Sequence, residues 1–298
     1  MQLPLSILIY HRVVARPDAL FPERVDARRF EQHLRLLTRW FQVLPLAVAV
    51  RQLRARTLPS RAACITFDDG YADSADVALP LLQRYRVPAT FFVASGFLDG
   101  GSLWSDVVID AVREAPGERL NLGRCGFGSY DIACPQRRRA VIDMLLETLA
   151  ALPQRERMQR VAMLARRASP SMLCPDQLLA LHRAGMDIGA HPVSHAVLAA
   201  LSNAEARAEI AAGRARLEDV IQAPVRLFAY PSGRPGRDFE KRHANMLRSQ
   251  GFDAAVTSAW GAARPDTDPF ELPRFTPWDR SSGGFLLRLG GNLLIPPA

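Results

Sequence analysis

Seven short apolar runs punctuate the chain, each followed by a polar or amphipathic stretch. They are Ser6–Tyr10, Val43–Val50, Ala63–Phe67, Ala89–Ala94, Met186–Ala190, Val225–Tyr230 and Ala254–Thr257, the second of them interrupted by Pro45. Rich in Val, Ile, Leu and Phe and mostly without polar alternation, they read as strands covered on both faces, as in a parallel sheet. Helical spacing appears between them. Ala27–Trp40 repeats apolar residues at Phe30, Leu34, Leu37 and Trp40, close to a 3.6-residue period. Ser74–Tyr85 predicts a second helix that Pro80 kinks or restarts. Pro175–Arg183 predicts a third, opened by Pro175 and closed by Gly185, and Asn203–Val220 a fourth behind an N-cap at Ser202. Strand–helix alternation of this kind predicts an α/β fold.

One stretch breaks the rhythm. About 80 residues between Ala94 and Pro175 hold no strong strand, a glycine-rich patch at Gly123–Gly128 and two expected helices, Gln136–Leu149 and Arg155–Ala168. We read residues 100–172 as a mostly helical insertion carried by one domain that spans residues 1–298.

Composition narrows the picture. The 298 residues are 48% hydrophobic and 23% charged, ordinary for a globular enzyme, and no apolar run is long enough for a transmembrane helix. The N-terminal MQLPLSILIYHRV lacks a basic n-region and a small-residue cleavage site, which predicts a cytoplasmic setting. Cys64, Cys125, Cys134 and Cys174 form no C-x-x-C pair. Cys125 and Cys134 are spaced to pair, but a cytoplasmic setting predicts free thiols. The net charge of +8 is scattered apart from short clusters such as Arg137–Arg139, and no nucleic-acid-binding signature accompanies it, so no nucleic-acid partner is expected.

Four motifs carry candidate chemistry. Thr66-Phe67-Asp68-Asp69-Gly70-Tyr71 ends a buried run in two adjacent carboxylates, which are costly to bury unless a cation binds them. His191-Pro192-Val193-Ser194-His195 places two imidazoles at i and i+4, on one face if a helix begins here with Pro192 in its first turn. Two imidazoles and a carboxylate leave a metal with a position for water. Phe228-Ala229-Tyr230-Pro231-Ser232-Gly233 ends another run in a turn whose backbone N–H groups suit an oxyanion. Ile9-Tyr10-His11 ends the first run in a histidine able to donate a proton. Singly, each motif is also an ordinary turn or core feature. Together they place acids and histidines at strand C-termini, the face where α/β barrels carry active sites.

TFDDGY followed by HPVSH, with AYPSG as a turn motif, resembles the polysaccharide deacetylase family, also called family 4 carbohydrate esterases or NodB-like domains. The resemblance implies a distorted (β/α)7 barrel and a divalent metal, zinc first, with cobalt, nickel and manganese also suited to such ligands. Carried over by motif, Asp69, His191 and His195 would ligate the metal and Asp68 would be the general base. The N–H of Ser232 would hold the oxyanion, and Tyr230, Pro231 and Gly233 would shape substrate binding. The usual C-terminal Leu-x-His motif is absent, and Ile9-Tyr10-His11 looks like its counterpart in circularly permuted members, so His11 is expected as the acid.

Three departures stand out. Pro192 replaces a Ser or Thr, Ser232 replaces a Tyr, and Ala229 sits where many members have an arginine that orients the base. Arg274, in Glu271-Leu272-Pro273-Arg274, is expected to supply that guanidinium. The implied reaction is hydrolysis of N-acetyl groups on amino sugars of an oligo- or polysaccharide, or of its lipid- or nucleotide-linked precursor. An O-acetyl esterase, another C–N amide hydrolase and a sugar-binding pseudoenzyme are the competing readings. Phe285–Leu289 with Leu293-Leu294-Ile295 is expected to close the bottom of the barrel, the alternative being weak peripheral contact with the inner membrane. Oligomeric state is open.

Overall fold

A computed structural model describes residues 3–164, 171–279 and 281–294. In chain order its elements are β1 (Leu5–Tyr10), α1 (Ala27–Trp40), β2 (Gln42–Val43), α2 (Leu46–Arg54), β3 (Ala62–Phe67), α3 (Leu79–Tyr85), β4 (Thr90–Val93), α4 (Trp104–Arg113), β5 (Arg119–Asn121), β6 (Ser129–Asp131), α5 (Pro135–Ala150), α6 (Gln154–Leu164), α7 (Pro175–Arg183), β7 (Asp187–Ala190), α8 (Asn203–Ile221), β8 (Leu227–Ala229), α9 (Lys241–Ser249), β9 (Ala254–Trp260), β10 (Leu272–Arg274) and α10 (Ser282–Asn292). They fall into two compact units: residues 100–172 with 17–22, and the rest of the chain.

The larger unit is a parallel barrel in the order β1-β3-β4-β7-β8-β9-β10. It closes where Phe275, just past β10, meets β1: Ile9 N–H donates to the Phe275 carbonyl at 3.0 Å, and Phe275 N–H to the Ile7 carbonyl at 2.7 Å. This is the (β/α)7 architecture expected from the sequence. Alternate residues divide between its two faces. Leu5, Ile7, Ala62, Cys64, Phe92, Leu227, Ala229, Val256 and Leu272 form one cluster, which fills the interior. Leu8, Tyr10, Ile65, Phe67, Phe91, Val93 and Phe228 belong to another, shared with Phe30, Leu34 and Leu37 of α1 and Leu178 and Leu181 of α7.

Local chemistry sets the helices. Asp26 caps α1 by accepting from Arg29 N–H at 3.0 Å. Ser202 and Glu205 form a reciprocal capping box at the start of α8. A π-helical turn, Ser74–Ala78, runs into α3, and Pro80 stands in the first turn of α3, where a missing N–H costs least.

Three expectations change. Of the run Val43–Val50 only Val43 is strand, the second residue of β2, and α2 begins at Leu46. Pro45 stops the strand, and Leu46, Ala49, Val50 and Leu53 then recur at helical spacing, so α2 buries them against the barrel interior. It is α2, not the C-terminal stretch, that closes the interior where the strands begin. The C-terminal stretch forms α10 on the barrel's outer side: Phe285 stacks on His33 of α1 at 4.2 Å, and Asn292 bonds Ser6 at 3.1 Å; Ile295 lies outside the described residues. β10 was not foreseen, because it has three residues and Pro273 at its middle.

The smaller unit has its own core, including Phe21, Val108, Val112, Ile142, Leu145, Leu149 and Val161. The glycine-rich patch is the loop of an antiparallel hairpin, β5–β6. The expected helix Arg155–Ala168 is seen as α6; residues 165–168 lie outside the described ones. Arg113 grips Asp18 through two bonds of 2.7 and 3.1 Å. Arg138 donates to the carbonyls of Val112, Arg113 and Ala115 at the end of α4, where a cation is favoured. Part of the arginine cluster is therefore structural. All four cysteines are free, and no described helix is long and apolar enough to cross a membrane.

Candidate functional site

The barrel register fixes what meets at the strand C-termini. Tyr10 pairs with Phe67, Val93 with Ala190, and Ala190 with Phe228, so His11, Asp68, His191 and Ala229 each follow an aligned strand residue. Asp69 then turns away with φ 74° and Gly70 with φ 88°. Non-glycine residues rarely adopt the left-handed region, and they do so where surrounding structure holds them.

Asp69 is buried and its Oδ1 lies 3.0 Å from His195 Nε2 and 3.7 Å from His191 Nε2. One ligand atom from each of these three residues lies within 4.8 Å of the others, a group able to hold a metal ion. Burial pushes the Asp69 carboxyl up, but the imidazoles of His195, His11 and His191 outweigh it and hold it well below the usual carboxylate range. Burial lowers His191 to about 4, helped by His195 and opposed by Asp68 and Asp69. An ionised carboxylate and a neutral imidazole are the forms that bind metal, so the donor set fits a divalent ion.

The helix expected to begin at His191 is absent. Residues 191–195 form a turn in which His195 N–H donates to the Pro192 carbonyl at 2.9 Å and His195 has φ 58°. The turn, not helical i,i+4 geometry, brings the imidazole centroids to 5.0 Å. It sits close on its neighbours: a Cβ on Gly213 of α8 would lie 2.6 Å from the His191 carbonyl oxygen, and one on Gly96 2.5 Å from that of Val193. Neither glycine, nor Glu209 beside the turn, was singled out from sequence; they lie far along the chain with no local signal.

Asp68 is held differently. Arg274 donates to both its oxygens, at 2.7 and 2.6 Å. The guanidinium also donates to the Thr257 carbonyl (2.6 Å) and Thr66 Oγ1 (3.1 Å), while Thr66 donates to the Leu8 carbonyl (2.7 Å). Arg274 and Asp68 are 2% and 3% exposed, so this is a buried, hydrogen-bonded ion pair. A register shift between β9 and β10, from Leu272↔Val256 to Arg274↔Trp260, precedes the arginine; bulges of this kind re-aim side chains.

After β8, Gly233 N–H donates to the Pro231 carbonyl at 2.6 Å across Ser232, whose φ is 58°, a tight three-residue turn of the rare positive-φ type. The Gly233 carbonyl accepts from Ser258 N–H at 2.9 Å, and that of Ser232 from the Ser258 hydroxyl. Ser232 is exposed, and its N–H donates to no described residue. Pro231 and Gly233 are buried within the turn. Tyr230 does not offer a ring to a ligand: it is 1% exposed, stacks on Phe239 at 3.7 Å and donates its hydroxyl to the Phe270 carbonyl. The aromatic core claims it because Tyr230 points to the helix-covered face.

A cleft of about 300 Å³ opens over Asp69, lined also by His11, Arg12, Arg24, Tyr71 and Trp278. His11 is exposed. Arg12 bonds Asp73 at 2.7 Å and lies 4.6 Å over the Tyr71 ring.

The polysaccharide deacetylase family model matches residues 55–255. YxkH of Bacillus subtilis (strain 168), named among polysaccharide deacetylases, is 35% identical over 91 residues, a match covering 30% of this chain and only 31% of YxkH. The fold is similar to that of Streptococcus pyogenes deacetylase PplD in complex with acetate, with TM-score 0.67, 19% identity and 99% of this chain against 100% of that one. It is also similar to IcaB from Ammonifex degensii, with TM-score 0.63, 20% identity and 97% against 96% coverage. On a family match covering most of its length, the chain belongs to the polysaccharide deacetylase family.

Proposed function

We propose that this protein is a metal-dependent hydrolase that removes N-acetyl groups from amino sugars of an oligo- or polysaccharide, or of its lipid- or nucleotide-linked precursor. The observation that carries the reading is the convergence of Asp69, His191 and His195 beside a second carboxylate, Asp68, held by a buried arginine. Asp69, His191 and His195 hold the ion, with zinc favoured and cobalt, nickel or manganese suited to the same donors. When bound, a divalent cation polarises the acetyl carbonyl and lowers the pKa of water.

The chain's own groups do the rest. Asp68 accepts the proton of the attacking water, and Arg274 fixes both its oxygens so that the carboxylate cannot rotate away. Ser232 N–H, which donates to no described residue, donates to the carbonyl oxygen as negative charge develops on it; such donors act by being oriented before the reaction. His11, at the cleft wall, gives a proton to the departing nitrogen, since an amine leaves poorly as an anion. The products are acetate and a free amino sugar. The reading includes a cytoplasmic setting, and weak contact with the inner membrane that is supported by the exposed Leu287 in α10 and Leu294 just after it.

Acetate release from a panel of N-acetylated amino sugars and oligosaccharides tests this. Chelation should abolish release and zinc restore it. Asp68→Asn should lower turnover by about 10²–10⁴ while leaving zinc binding intact. Release that survives Asp68→Asn, or no release from any acetylated sugar, overturns the reading.

A further inference from the structure

In the turn that carries both imidazoles, Pro192 has no N–H or hydroxyl with which to brace the loop. Something else must hold His195 in its left-handed conformation, φ 58°. The bracing comes from α8. Glu209 accepts from Ser194 N–H at 2.9 Å through one carboxylate oxygen and from Ser194 Oγ at 2.8 Å through the other. Its own backbone carbonyl accepts from Val193 N–H at 3.2 Å. One residue thus holds three consecutive donors of the segment between the two histidines. One helical turn on, Gly213 lets the His191 carbonyl rest against α8, and the Val193 carbonyl accepts from Gly96 N–H at 2.9 Å.

We infer that Glu209 is a positioning residue for metal capture: its carboxylate, through Ser194, presets the separation of His191 and His195 before an ion arrives. The inference rests on the reading of Asp69, His191 and His195 as ligands. The two carboxylate bonds are charge-assisted, the stronger class of hydrogen bond. Without them the turn relaxes toward conformations that a non-glycine residue prefers, and the His195 imidazole leaves its place 3.0 Å from Asp69. A ligand set that must be ordered by the ion itself binds more weakly, because ordering is then charged against binding.

The test measures zinc affinity of the full-length protein by competition with a chromophoric chelator, and the visible spectrum of the cobalt-loaded form. Glu209→Ala should weaken zinc binding about 10–100-fold, the usual consequence of losing an outer partner of a ligand, and alter the cobalt spectrum. Glu209→Gln keeps one acceptor oxygen and should recover part of the loss. The melting temperature of the metal-free protein should move little, since the bonds are near the surface. Ser194→Ala, which removes only the hydroxyl half, should give a smaller loss and serves if Glu209→Ala does not fold. Unchanged zinc affinity in Glu209→Ala, or in Ser194→Ala where that variant stands in, overturns the inference. Absence of zinc binding by the unsubstituted protein overturns the ligand reading, and with it this inference.

Discussion

Where the barrel strands begin, their interior meets Leu46, Ala49, Val50 and Leu53 of α2; where they end, it meets Asp68, Thr66 and the guanidinium of Arg274. The strands are the same, and so is the degree of burial, yet the energetics differ in kind. At the lower end, contacts are apolar and non-directional, and volume-conserving exchange is tolerated. At the upper end every buried charge has a partner, and the loss of one strands the other. Positive φ at non-glycine residues occurs at both ends: at Asp69, His195 and Ser232 above, and at Arg56, Arg61, Arg86 and Gln222 in the turns that lead into β3, β4 and β8 below. At Asp69, His195 and Ser232 a conformational cost of about 1–2 kcal/mol per residue falls within the site, where packing and hydrogen bonds over-determine the turns. What separates the ends is therefore the chemistry of the buried groups: apolar burial below, and a paired polar arrangement above.

Three measurements probe that contrast. The largest effect is expected at the top. Arg274→Ala leaves the Asp68 carboxylate buried without its partner and should destabilise the protein by about 4 kcal/mol, read by urea unfolding, with a collapse of acetate release in the fraction that remains folded. Unchanged turnover would remove Arg274 from the site. Next, Leu53→Ala in the lower plug should cost about 3 kcal/mol from lost burial and a cavity while leaving turnover of folded protein unaltered. A turnover defect matching that of Arg274→Ala would mean that the two ends are not separable.

The third effect is the smallest and depends on pH. His33 lies under α10, bonded through Nδ1 to the Tyr10 hydroxyl at 3.0 Å. Burial, and secondarily Arg29, lowers it from 6.5 to about 4, with Asp26 opposing. Between those values the unfolded chain binds the proton and the folded chain does not, so stability falls as pH drops from about 6.5 to 4 and is constant above. By pH 4.5 the loss from this residue reaches about 2.5 kcal/mol. His33→Gln should flatten that part of the profile in urea unfolding followed from pH 7 to 4.5; parallel profiles for the two proteins would exclude His33 as the source.

Legibility in the sequence followed the range of the forces involved. The interior strands are readable because doubly buried strands must be apolar on both sides, and Cys64 and Ile65 show it as plainly as Leu227 and Phe228. The helix α2 reads as strand in the sequence because Val43–Val50 is apolar throughout, and only Pro45 and the Leu46, Ala49, Val50, Leu53 spacing separate the two periods. β10 escaped because Pro273 argues against a central strand, which a closed barrel with a register shift nevertheless accommodates. The acid pair and the histidine pair are visible as motifs, but the i,i+4 spacing of the histidines suggests a helix where a turn brings them together.

The sequence alone determined the alternation of buried strands and amphipathic helices and the residue types that end the strands, because burial and local caps act through neighbours along the chain. The tertiary structure decided which of those ends meet. That Arg274 reaches Asp68 across 206 positions, that Glu209 steadies the turn between His191 and His195, and that Tyr230 turns into the core rather than the cleft are consequences of barrel closure and strand register, and no local pattern of residues encodes a distance through space.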